Sequence, residues 1–179
     1  MRTGWKTILI MIAAAAVLSL PYGHRWNLLM HITGAIVFMG NVVVTAVWMS
    51  MARRSGEPAN VRFAARGVLV ADIYLTTPGV VLLFVNGLIL SFAWFETGGA
   101  SWLHVSMGLF VLSGVAWLAL LVPIQRKLAR LAAEGAPGDD LPAGFHGALK
   151  AWFRWSGILT LLPLGILVLM VVKPGLWHG

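Results

Sequence analysis

The chain of 179 residues is 59% hydrophobic and 11% charged, with a mean hydropathy of +0.86. Soluble domains carry roughly a quarter of their residues charged, so this is the composition of an integral membrane protein. Cysteine is absent, which excludes disulfides, thiolate metal sites, iron–sulfur clusters and c-type haem attachment, and leaves histidine, methionine and oxygen to ligate any metal or haem. The net charge of +7 lies beside apolar runs, where it sets topology and meets anionic lipid; nucleic acid is not an expected partner.

Met1 to Tyr22 is a short basic start followed by the apolar run TILIMIAAAAVLSL, either a retained helix or a signal-peptide core. No A-x-A cleavage site follows, and Pro21–Tyr22–Gly23 reads as a turn, so a retained helix is expected. Trp26 to Ser50 is long enough to cross the ~30 Å hydrocarbon core at ~1.5 Å per residue. It carries His31 inside its leading edge. The segment 51–66, with Arg53, Arg54, Arg62 and Arg66 around Gly56 and Pro58, reads as a basic cytoplasmic loop. Gly67 to Phe95 is the third span, with Asp72 near one end, Pro78 after two threonines, and Asn86–Gly87 further on. Glu96 to Ala100 is a short outer connector. Ser101 to Pro123 is the fourth span, bearing His104, and IQRKLARLAAEG extends it as a basic amphipathic helix. Ala136 to Gly144 is a hinge, Phe145 to Arg154 an aromatic and basic lead-in, and Trp152 to Val172 the last span, with Pro163 near its middle.

Eleven of the thirteen basic residues fall at the ends assigned to the cytoplasm, leaving only Arg25 and Lys173 outside. This predicts five spans with a cytoplasmic N-terminus and an outer C-terminus. Trp5, Trp26, Trp48, Trp94, Trp102, Trp152, Trp155 and Trp177 fall near span ends, as an aromatic belt should. The fold expected is an all-α membrane bundle: an N-terminal helix over 1–23, then a four-helix bundle over 24–179 with cytoplasmic loops 51–66 and 124–151.

An ionisable side chain inside a span is costly and so marks a candidate site. His31 and His104 stand at similar depth on two spans of the same direction. Two imidazoles facing each other across a bundle would supply the axial ligands of a b-type haem, or hold another metal. Gly34 and Gly108, one turn deeper, would leave room for the macrocycle, and Arg25 would pair with propionates. The expected pocket is lined by His31, Gly34, Phe38, Asn86, His104 and Gly108. The competing reading makes each histidine a polar helix-packing group and each glycine a close crossing. Asp72 reads either as a partner of Arg66, Arg154 or another arginine, or as part of a proton relay with Thr45, Asn41, Thr76, Thr77 and Asn86. The prolines would free carbonyls that Thr76, Thr77 or Thr160 could satisfy. His146 is expected at lipid head groups, and His24 and His178 lie too near the ends to weigh. No nucleophile elbow, phosphate-binding loop, H-E-x-x-H run or carboxylate pair is present, so hydrolytic and nucleotide chemistry has no basis.

The runs LLMHITGAIVFMGNVVVTAVWM, ADIYLTTPGVVLLFVNGLIL and WLALLVPIQRKLARLAAEG, with the closing helix and VVKPG, resemble the bacterial integral membrane proteins of the domain-of-unknown-function 2269 family. The resemblance covers about Asn27 to Gly175, so the family's four-helix unit begins at the second span, after an added segment. It implies a bacterial inner-membrane protein, and the family has no assigned activity. A histidine early in a helix, followed by glycine and aromatics, is similar more loosely to copper-resistance D-type and haem-binding four-helix membrane proteins. Two functions are therefore expected: a b-haem electron carrier or haem-handling protein, or a cofactor-free membrane subunit or small-solute permeation element. The partners are membrane lipids and, in a subunit role, further copies or other membrane subunits.

Overall fold

The computed structural model describes residues 5–20, 22–95, 101–134 and 139–176. The connector 96–100, Pro21, His178, Arg2 and part of the 136–144 hinge lie outside them. The described residues form helices and connecting turns, with no strand among them. The helices are α1 (Trp5–Leu18), α2 (His24–Ser55), α3 (Pro58–Ala71), α4 (Thr77–Phe95), α5 (Ser101–Ala116), α6 (Val122–Leu131) and α7 (Phe145–Val172). A π-helical turn, Asp72–Thr76, joins α3 to α4, and another, Trp117–Leu121, joins α5 to α6.

Among the described residues, four continuous helical stretches are long and apolar enough to cross a membrane: His24–Ser55, Pro58–Phe92, Ser101–Leu131 and Phe145–Val172. The first helix is shorter; its 14 residues rise about 21 Å, less than the ~30 Å of a hydrocarbon core. The segment 51–66 is not a loop. It is helical except at Gly56 and Glu57, because Gly56 takes φ +73°, which closes α2 in a left-handed conformation, and Pro58 opens α3 at the position where a missing N–H costs nothing. The other expected loop, 124–151, is likewise helical over α6 and from Phe145 onward.

Both π turns end two residues before a proline. Thr77 N–H bonds back to the Asp72 carbonyl and Val122 N–H to that of Trp117. The wider turn takes up the ring of Pro78 or Pro123, which would clash with a regular helix. Thr77 Oγ1 also donates to the Asp72 carbonyl, at 3.1 Å. Thr160, expected to serve the carbonyl freed by Pro163, instead donates to Ser156 O at 2.7 Å.

Polarity is distributed as lipid demands. Ile36, Val43, Val47, Val111, Val115, Leu161 and Val171 are exposed, while Asn27, Asn41, Asp72, Thr76, Asn86 and Ser106 are buried. With no water in the hydrocarbon, each polar group must find its partner inside the protein. Two of the expected belt residues, Trp102 and Trp152, are buried, whereas Trp26 and Trp48 are exposed as a belt requires. The side chains of Trp5, Trp94 and Trp177 lie outside the described ones.

The chain divides into two compact units, Met1–Val47 with Gly67–Glu96, and Trp48–Arg66 with Thr97–Gly179. In the first, α1 packs on α4 and the adjoining π turn. In the second, α7 packs on α5 and α6, with Leu128, Leu131, Phe145, Leu149 and Trp152 buried. The exposed face of α6 carries Arg126, Lys127 and Arg130.

Candidate functional site

The first unit holds α2 and α4 at backbone contact. A Cβ on Gly34 would stand 2.5 Å from Leu83 N and 2.7 Å from Gly79 O, and one on Gly79 would stand 3.1 Å from Phe38 N. Small residues here let two helix backbones touch, the usual way helices associate in lipid. The space beside Gly34 is thus filled by α4. Gly34 therefore serves a close helix crossing, one of the two roles the sequence leaves open for it.

One turn before Gly34, His31 turns its half-buried ring onto α4. A Cβ on Gly87 would lie 2.8 Å from the ring Cε1 and 3.0 Å from Nδ1, so glycine is needed for the ring to reach the backbone. There Nδ1 meets Leu83 O at 2.7 Å. A carbonyl only accepts, so Nδ1 carries the hydrogen and donates it. In the neutral ring the lone pair is then on Nε2, the tautomer that metal-bound histidines adopt when their second nitrogen is held by a carbonyl.

A polar chain runs beside the histidine. Asn27, one turn earlier on α2, donates through Nδ2 to Asn86 Oδ1 at 2.8 Å and to Leu20 O at 3.1 Å. Asn86 donates to Ser19 Oγ and Leu82 O, both at 2.8 Å, and Ser19 donates to Ala15 O at 2.8 Å. This ties α1, α2 and α4 together. Asn86 is fully buried, and its bonds fasten the helices together.

Further along the same helices, Asn41 Nδ2 donates to Asp72 Oδ1 and to Thr76 Oγ1, both at 2.8 Å, and the Thr76 hydroxyl donates to Asp72 Oδ1 at 2.9 Å. Thr45 Oγ1 bonds Asn41 O at 2.7 Å. Arg66, offered by the sequence as a partner of Asp72, donates to Ala132 O at 2.7 Å, and Arg154 lies over the Trp155 ring.

Arg25 is exposed at the start of α2. His104 belongs to the second unit and is exposed, as is Gly108, where an added Cβ would meet open space. His146 is exposed at the start of α7, and His24 at that of α2.

Sequence reasoning missed three residues. Nothing in the sequence pattern gives Asn27 a role, and Gly87 stands out there only as the neighbour of Asn86. Arg62, which the sequence offers only as one of the basic residues that set topology, is 4% exposed. Its guanidinium donates to Asp140 O at 2.8 Å, Asp139 O at 3.3 Å, Ala132 O at 3.4 Å and Glu134 O. It collects carbonyls from the C-terminal end of α6 and the segment after it, the negative end of that helix dipole.

No curated protein and no solved structure matches the chain. The sequence model of one family matches residues 27–174, which run from the first turn of α2 to just past the end of α7. Buried polar residues between helices with apolar outer faces agree with that family's description, and the chain belongs to the predicted integral membrane proteins of the DUF2269 family.

Proposed function

We propose that the chain is a five-span protein of a bacterial inner membrane that handles b-type haem or passes electrons through it, with His31 as an axial ligand. The observation that carries this is the Nδ1 hydrogen bond to Leu83 O at 2.7 Å, which orients the ring and leaves Nε2 as the electron-pair donor. Haem bound there would supply one-electron chemistry. The protein's part is to hold the imidazole through Gly87 and Leu83, and to keep that backbone in register through the Asn27–Asn86–Ser19 chain. The five-span topology has α1 as its shortest member and rests on the bias of basic residues to one set of helix ends.

The test is the visible spectrum of protein purified from haem-replete cells. A Soret band that is lost in His31→Ala supports the reading. Colourless protein that also fails to take up added haem overturns it.

A second reading, a cofactor-free membrane subunit or permeation element, is favoured by the backbone contact at Gly34 and Gly79 and by the fully bonded Asn86 amide. In it the same polar residues only fasten helices.

A further inference from the structure

Asp72 opens the first π turn and is 8% exposed. Its Oδ1 receives two hydrogen bonds, from Asn41 Nδ2 at 2.8 Å and from the Thr76 hydroxyl at 2.9 Å, donors that suit an ionised carboxylate. Asn41 is itself 4% exposed, and its Oδ1, on the same amide that reaches into this cluster, has no hydrogen-bond partner. A buried carbonyl oxygen without a donor is disfavoured. An amide can make a half-turn about its last torsion, which exchanges oxygen and nitrogen. That half-turn would bring Oδ1 opposite the Asp72 carboxyl, which is favourable only when the carboxyl has a hydrogen to donate.

The pair therefore has two matched states. In one, ionised Asp72 accepts from Asn41 Nδ2; in the other, protonated Asp72 donates to Asn41 Oδ1. Each state leaves one end of the amide unpaired, so hydrogen bonding locks in neither. Thr76 serves both, since a hydroxyl donates and accepts. The π turn adds a local reason for the site to be here: the Thr77 N–H and hydroxyl both go to the Asp72 backbone carbonyl, leaving the side chain to face Asn41 and Thr76. Single π turns inside α-helices are frequent at functional positions.

We infer that Asp72 and Asn41 form a proton-binding site within the membrane-spanning helices, the carboxyl taking up one proton from water while the amide turns over with it. The charged and titratable groups on the elements around it are few. The helix α1, packed on the π turn, brings Lys6, and the turn itself brings Tyr74. On α2 there is none between His31 and Arg53, α4 has none, and on α3 Arg62 and Arg66 donate to backbone carbonyls at the end of α6.

Infrared difference spectroscopy of the protein in lipid, between about pH 4 and pH 10, tests this. The expected result is a carboxyl C=O band that titrates, is absent in Asp72→Asn and moves in frequency in Asp72→Glu, accompanied by an amide side-chain band absent in Asn41→Leu. In Asn41→Leu the proton affinity of Asp72 should change by about tenfold or more. Absence of a titrating band, or a band unaltered in both Asp72 variants, overturns the proposal. So does a titrating Asp72 with no change in Asn41→Leu, and so does a carboxyl band removed by sodium at fixed pH, which would give the site to an alkali ion.

Discussion

The His31 ring lies against Gly87 so closely that an alanine methyl would stand 2.8 Å from its Cε1. Gly87→Ala should therefore push the ring off α4 and break its bond to Leu83 O, at a cost of about 1–3 kcal/mol for overpacking. In a His31→Ala background the same methyl fills vacated space, and its cost should nearly vanish. Thermal unfolding of the four proteins of this cycle in one detergent measures the coupling. Equal costs of Gly87→Ala in both backgrounds would mean that the ring does not rest on this glycine.

The two glycines that follow the histidines behave oppositely. Gly34→Ala meets the backbone of α4, with Leu83 N at 2.5 Å, and no side chain there can turn aside. A loss of about 1–3 kcal/mol is expected, since the helices must separate. Gly108→Ala meets open space, so its effect should stay within about 0.5 kcal/mol. Equal melting temperatures for the two variants would overturn this difference.

The sequence shows the extent of the four long helices because hydropathy is a property of whole segments. It misleads over 51–66, where Gly56, Pro58 and four arginines resemble a loop. Two residues sufficed for the connection, and the arginines stayed helical. Gly34 illustrates a deeper ambiguity. A glycine one turn from a histidine marks either room for a cofactor or a helix crossing, and only the position of α4 decides. Asn86 was recognised as polar at depth, but its bonds to Asn27 and Ser19 depend on α1 packing against α4. The partners of Arg62 were hidden for another reason: they are backbone carbonyls, which no residue type announces.

The Asn27–Asn86–Ser19 chain should contribute measurably to holding α1. Asn86→Leu removes the acceptor of Asn27 and the donor to Ser19, and interhelical hydrogen bonds in membranes are worth about 0.6–2 kcal/mol each. Ser19→Ala loses one of these contacts and should cost less. If the chain fastens α1, a cysteine at Ala15, which is buried, will react faster with a membrane-permeant maleimide in the Asn86→Leu protein than in the parent. Unchanged labelling would show that apolar packing alone holds the helix.

Arg62 offers the sharpest contrast between geometry and charge. A lysine keeps the positive charge, yet a single ammonium cannot reach carbonyls that a planar guanidinium spans with two nitrogens. Its NH1 serves Ala132 and Glu134 while NH2 serves Asp139 and Asp140. Hydrogen bonds from charged groups are worth about 1.5–3 kcal/mol, so Arg62→Lys should free the segment after α6, and Arg62→Ala should free it more. Arg130, exposed one residue before the end of α6, provides the readout. Trypsin should cut there faster in detergent-solubilised protein of both variants, in the order alanine, lysine, parent. Equal cleavage of the lysine variant and the parent would mean that charge near the dipole of α6 is enough, and that the shape of the guanidinium contributes nothing.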